Sequence, residues 1–224
     1  MDVVVVQMLP LILGAILAPV WIIIVLLLLA SPQGVLKATA FVLGMTLVRV
    51  LQGLIFGFIF SSSPDNSPDS SGSSPIVSTL LLVVGILLLI MAYKKWRKED
   101  DPDEPPPQWM QTFAQASPLK ALGLGVLLVS IGVKLWVFTL SALSIISGSE
   151  LGQSERVIAY LIYIGLTQVA LIAAILVYAV VPQAALLLKQ ALGWLTRYNR
   201  PISITVGLIF GLYFDYSGIS GLLS

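Results

Sequence analysis

At 224 residues, with 58% hydrophobic and only 10% charged side chains and a mean hydropathy of +0.99, the chain is far more apolar than a soluble domain of its size needs to be. A net charge of +1, with no concentration of basic residues on a water-facing fold, argues against nucleic acid as a partner. The lack of cysteine and histidine removes disulfides, thiolate chemistry and the usual transition-metal and haem ligands, so no metal and no cofactor are expected.

The N-terminal stretch has no basic n-region and no small-residue cleavage site, and reads as a retained first helix. Its apolar run, residues 7–30, is long enough to cross ~30 Å of hydrocarbon at ~1.5 Å per residue. Pro19 should interrupt or bend it, and Ser31-Pro32-Gln33-Gly34 supplies a turn. A second helix is expected over 37–60, with Arg49 near its centre and Gly44, Gly53 and Gly57 as points of close approach. The Ser/Pro/Asp/Gly-rich stretch 61–75 reads as a polar loop.

The third helix, 76–93, closes on the basic cluster Lys94, Lys95, Arg97 and Lys98. Acidic, proline-rich residues follow, and 94–118 is read as a charged linker between two halves, 1–93 and 119–224; regulation or partner binding is the other reading of that segment. A fourth helix over 119–146 carries Lys134 near its middle, and a fifth is expected over 156–181, ended by Pro182. Gln183 to Tyr198 mixes leucines with Lys189, Gln190 and Arg197, the pattern of an amphipathic helix lying in the interface. The sixth span is expected at 201–216. The fold class is thus an all-α integral membrane protein with six transmembrane helices.

With six spans, one side receives Lys37, the cluster at 94–98, Lys120, Lys189, Arg197 and Arg200. The other receives only Arg156, together with Asp2, Asp65, Asp69, Glu150, Glu155 and Asp215. The positive-inside rule then places the linker in the cytoplasm and both termini outside an inner or plasma membrane. Internal similarity reinforces the division into halves. Pro75-Ile76-Val77-Ser78-Thr79 matches Pro201-Ile202-Ser203-Ile204-Thr205, with Gly85 on Gly211 at the same offset. Gly44-Met45-Thr46-Leu47-Val48 matches Gly165-Leu166-Thr167-Gln168-Val169, and Pro19-Val20-Trp21 shares only its tryptophan with Lys134-Leu135-Trp136. Three matches in the same order point to duplication, and three helices per copy make the repeat an inverted 3+3 one.

Charge inside a membrane costs a few kcal/mol or more and is normally retained for a purpose. Lys134 and Arg49 are therefore candidate groups for holding a phosphate, sulfate or carboxylate of a cargo, the alternative being that they cap half-helix carbonyls or bridge the halves. Thr46, Thr167, Gln168 and the neighbouring Gln52 are candidates for a polar lining, with helix packing as the alternative, and Pro19 marks the position matching Lys134. Asp215 and Lys134 are candidates for proton coupling. No catalytic constellation is found: serines sit in loops without a base, and no phosphate-binding glycine loop follows a strand.

Leu17-Ala18-Pro19 with the aliphatic run to Ser31-Pro32, then Ala40-Phe41-Val42-Leu43-Gly44, the charged central linker and Gly132-Val133-Lys134, together resemble the lysine-exporter (LysE) superfamily. Within it the chain is most similar to the peptidoglycolipid- or sulfolipid-addressing (GAP) family. Lysine-exporter relatives often carry Asn-Pro-Lys where this chain has Gly132-Val133-Lys134, so only the lysine corresponds. The resemblance implies export of an anionic or amphiphilic, lipid-related solute by alternating access. Export of amino acids or small metabolites, and a non-transporting accessory role in a lipid-export system, are the alternatives. The partners implied are membrane lipids, the cargo, and either lipid-export machinery or further copies of the chain.

Overall fold

The computed structural model describes residues 2–61, 75–97, 108–181 and 183–223, excepting the side chains of 58–61, 75–77, 108, 133 and 134. The polar loop at 62–74, the linker core at 98–107 and Pro182 therefore lie outside the described residues. The rest is helical: α1 Asp2–Ile16, α2 Pro19–Leu29, α3 Gly34–Ser61, α4 Pro75–Arg97, α5 Gln108–Ala114, α6 Pro118–Ile131, α7 Val133–Ser147, α8 Gln153–Thr167, α9 Val169–Val180 and α10 Ala184–Leu223. Among the described residues three helices, α3, α4 and α10, contain stretches long and apolar enough to cross a membrane unbroken. Three bent pairs bring the number of spans to six when each pair counts as one. Large apolar side chains such as Leu54, Leu212 and Leu119 stand exposed, as lipid-facing positions must.

The bend between α1 and α2 is 55° and falls where Pro19 was expected to interrupt the first span. Two further bends were not expected. The fourth span divides at Gly132 with a 70° turn, and the fifth divides at Gln168 with a 58° turn. Neither break contains a proline. At Gly132 the Trp136 indole N–H donates to the Ser130 carbonyl at 2.8 Å, so a tryptophan just past the break takes up a backbone acceptor just before it.

A second difference concerns α10. The expected interfacial helix and sixth span form one continuous 40-residue helix running through Pro201. Proline leaves a helix carbonyl without its donor, and the neighbourhood of this one is braced from outside. Lys95 donates to the Asn199 carbonyl at 3.3 Å, to Asn199 Oδ1 at 3.2 Å and to Ser203 Oγ at 2.7 Å. In return Arg200 donates to the carbonyls of Lys95 and Trp96, at 3.1 and 2.8 Å, capping the last turn of α4. The early part of α10 also packs Leu188, Leu192 and Leu195 against the core that holds Phe113 of α5 and Leu28 of α2. Leu186, Leu187 and Trp194 of the same stretch stay exposed, so only part of its apolar face is packed against protein.

Two helix pairs fix the bundle. α4 and α10 run antiparallel in the most extensive contact: Ser78 lies by Gly218, Gly85 by Gly211 and Asp215, Ala92 by Gly207 and Lys95 by Asn199. α3 and α6 cross backbone to backbone, where a methyl group at Gly44 would collide with the Leu122 carbonyl and one at Gly125 with the Phe41 carbonyl. Gly125→Ala should therefore destabilise the detergent-solubilised protein by about 1–3 kcal/mol. Gly165→Ala, where a methyl group meets nothing within 4 Å, should be neutral or stabilise by up to about 1 kcal/mol. Thermal unfolding of the two variants beside the parent protein checks the difference; equal shifts would discount the crossing as a close backbone contact.

Candidate functional site

Where α8 ends at Thr167, the helix loses the backbone hydrogen bond that would have continued it. The Gln168 N–H turns to the Gly165 carbonyl at 3.2 Å, releasing the Ile164 carbonyl. Side chains take its place: Thr167 Oγ1 donates to Ile164 O at 2.9 Å and Gln168 Nε2 donates to it at 3.3 Å. Gln168 Oε1 in turn lies 3.3 Å from the Thr46 hydroxyl, whose shorter contact, 2.8 Å, is to its own helix at Val42 O. Arg49 of α3 completes the group by donating from Nη1 to Thr167 Oγ1. A guanidinium thus stands over the C-terminal end of a half-helix, the end where the helix dipole favours a cation.

Arg49 is only 3% exposed, and its Nε has no hydrogen-bond partner. One turn along α3, Gln52 is equally buried, and neither polar atom of its amide is bonded. Tyr160 donates its hydroxyl to the Arg49 carbonyl at 2.6 Å. Its ring stacks on Tyr163 with centroids 6.0 Å apart, and Tyr163 shares a hydrogen bond with Thr139 of α7. Beside this cluster α3, α7 and α8 enclose an open-sided cavity of about 670 Å³, with Tyr160 and Gly53 in its wall and Ser147, Gln153 and Arg156 among its polar lining. Arg156 is held in position by bonds from Nε to the Leu151 carbonyl at 2.9 Å and from Nη2 to the Ser149 carbonyl at 3.1 Å.

Of the residues singled out in the sequence, Arg49, Thr46, Thr167 and Gln168 come together in one hydrogen-bonded group at the α8–α9 break. Pro19 and Asp215 stand apart from it. Pro19 opens α2 at its own break, and Asp215 lies against Gly85 in the α4–α10 contact, where its Oδ1 is buried without a partner. Residue 134 is the second residue of α7, directly after the Gly132 break, and its side chain lies outside the described residues. Tyr160, Tyr163 and Thr139 were missed. The signal that finds the two tyrosines is the spacing Gln153, Arg156, Tyr160, Tyr163, Thr167, alternately three and four residues apart, which puts five polar groups on one helix face; Thr139, on α7, has no such signal.

Residues 8–220 match the family described as Sap, sulfolipid-1-addressing protein. The chain belongs to that family. The match takes in the breaks of all three bent pairs, both glycine-lined helix crossings and the Arg49 cluster. Neither a curated protein nor a solved structure matches the chain significantly. The name of the sulfolipid-1-addressing family gives this membrane protein a lipid-related context.

The geometry separates Gln168 from Thr46. Gln168→Leu removes both the donor to a released carbonyl and the partner of Thr46, and should cost about 1–3 kcal/mol. Thr46→Val removes one hydroxyl that already has a partner in its own helix, and should cost about 0.6 kcal/mol. Chemical unfolding of both variants in one detergent checks the ranking; a larger loss in Thr46→Val would show that Ile164 does not depend on Gln168.

Proposed function

We propose that this protein is a transporter that carries an anionic or amphiphilic, lipid-related solute outward across the membrane, by alternating access between two inverted three-helix halves of the lysine-exporter type. The observation that carries the reading is Arg49: a buried guanidinium with a partnerless Nε, at a broken helix, separated by one tyrosine ring from a cavity of about 670 Å³. Cavities of ~300–1,000 Å³ suit single ligands of modest size. A partnerless guanidinium N–H is an unused donor for a phosphate, sulfate or carboxylate, which the planar fork of arginine matches well.

Two further features support alternating access. α2, α7 and α9 are half-helices that begin inside the three broken spans, an arrangement by which transporters present helix N-termini to anionic groups. Gly85 and Gly211, the matched glycines of the two sequence repeats, also meet across the antiparallel α4–α10 contact, as equivalent residues do at a two-fold axis. The basic residues at Lys37, Lys94, Lys95, Arg97, Lys120, Lys189, Arg197 and Arg200 orient the chain with linker 94–118 in the cytoplasm and both termini outside. Asp215, a carboxylate packed on bare backbone at Gly85, is the coupling group we favour for protons, with Lys134 as the other candidate.

Flux in liposomes tests the reading. The purified protein should move a fluorescent single-chain anionic lipid analogue, and Arg49→Gln should slow that movement by about 10- to 100-fold, the equivalent of one charged hydrogen bond. Arg49→Lys, which keeps the charge over the end of α8, should fold as well as the parent protein and recover only part of the rate. Movement of free lysine instead of the lipid analogue would select the small-metabolite reading, and flux of neither would leave the accessory role. Asp215→Asn should abolish any acceleration of flux by an imposed proton gradient while leaving the ungraded rate in place; unchanged acceleration would remove Asp215 from coupling.

A further inference from the structure

The polar stripe on α8 descends from the rim of the cavity to the break. Gln153 is exposed, Arg156 is half-buried, and Tyr160, Tyr163 and Thr167 are buried. From first to last the stripe covers about 21 Å of helix at 1.5 Å per residue. It carries a guanidinium near its outer end, at Arg156, and meets a second one, Arg49, at its inner end. Elsewhere on the helix Ser154 and Glu155 are exposed in its first turn, and beyond them the exposed side chains Val157, Ile158 and Leu161 are apolar, Val157 and Leu161 lining the cavity as well.

The stripe is interrupted at Tyr160. Gln153, Arg156 and Tyr160 line the cavity, whereas Tyr163 and Thr167 lie beyond it. The Tyr160 ring rests on Gly53 so closely that any β-carbon there would collide with it. Its hydroxyl holds to the Arg49 carbonyl, which within α3 also accepts the backbone N–H four residues on. Opening this closure would break one hydrogen bond and leave no carbonyl stranded. The remaining walls include Val50, Leu54, Leu143 and Ile146, and with Leu54 67% exposed the cavity opens sideways to lipid.

Resting on the transport reading above, we propose that this cavity holds the apolar chain of an anionic amphiphile, and that Tyr160 is a gate whose movement off Gly53 admits the acidic headgroup along the α8 stripe from Arg156 to Arg49. The apolar walls supply the chain site, and a cation on each side of the gate selects the sign of the headgroup. Gly53 is the positioning residue that lets the gate close.

The chain contains no cysteine, so single cysteines in the full-length protein report on access without background. Gln153→Cys marks the rim, Leu143→Cys the cavity wall, and Thr139→Cys the far side of the gate. With anionic sulfonatoethyl and cationic trimethylammonium-ethyl methanethiosulfonates, the first two should react in the otherwise unchanged chain and Thr139→Cys should be protected. Adding Tyr160→Ala, or Gly53→Ala which displaces the ring without deleting it, should expose Thr139→Cys, with the anionic reagent faster by about tenfold. Laurate, and not dodecylamine, should slow labelling at Leu143→Cys.

Equal reaction of Thr139→Cys with the gate intact and removed, or equal rates for the two reagents, would overturn the gate. A Leu143→Cys that never reacts, or that laurate fails to protect, would overturn the chain site. Each variant is compared only as a monodisperse protein, and Gly53→Ala carries the test where Tyr160→Ala does not fold. Labelling reads the path without flux: a gate that opens in a protein that moves no lipid would leave this inference standing and the transport reading refuted.

Discussion

Hydrocarbon offers no hydrogen bonds, so a helix broken inside a membrane must find partners within the protein for every backbone group the break releases. That constraint organises this structure, because among the described residues three of up to six candidate spans are broken. Each break is resolved differently. At Pro19 the residue that opens α2 has no N–H to satisfy, and the last turn of α1 closes with Leu17 N–H on the Leu13 carbonyl at 2.9 Å. At Gly132 an indole reaches back to Ser130 O. At Gln168 an amide, a hydroxyl and through it a guanidinium gather on one released carbonyl.

The third solution has a consequence that the other two lack. An indole or a proline ends the matter, whereas arginine brings a full charge and five donors to a place that needs only part of them. Burying that charge costs several kcal/mol, which the α8 terminus and the Thr167 bond offset in part. The Nε left over, and the unbonded Gln52 amide one turn away, are polar groups in a setting where such groups are normally bonded. Capping the helix accounts for where Arg49 sits; it does not account for the donors that remain.

Much of this was legible in the sequence because a polar side chain inside an apolar run stands out. Thr46, Arg49, Thr167 and Gln168 could be named for that reason, and Pro19 could be expected to break its helix because proline lacks a donor. The breaks at Gly132 and Gln168 were hidden, since hydropathy summed along a span does not register a lost hydrogen bond, and a glycine in an apolar helix ordinarily signals close packing. Tyr160 and Tyr163 were hidden because the ring of tyrosine counts as apolar while its hydroxyl does the bonding. The continuity of α10 through Pro201 was illegible for another reason: it is braced by Lys95 and Arg200, which are about a hundred residues apart in sequence and stood out only as basic residues on the same side of the membrane.

Contacts in the bundle differ in kind. α3 meets α6, and α4 meets α10, through glycines at which the backbones touch, and such pairs cannot slide without collision. Around the broken α8–α9 span the contacts are made by side chains: Tyr160 on Gly53, Tyr163 with Thr139, Gln168 with Thr46. Gly165, one turn before the end of α8, has nothing within 4 Å of where a β-carbon would stand. Side-chain contacts can be exchanged by rotation about single bonds, without moving a helix axis. A wall whose side-chain contacts can be exchanged, set against two helix pairs that cannot slide, is the division that the proposed access from alternating sides needs, with Arg49 on the rigid helix that faces the adjustable one.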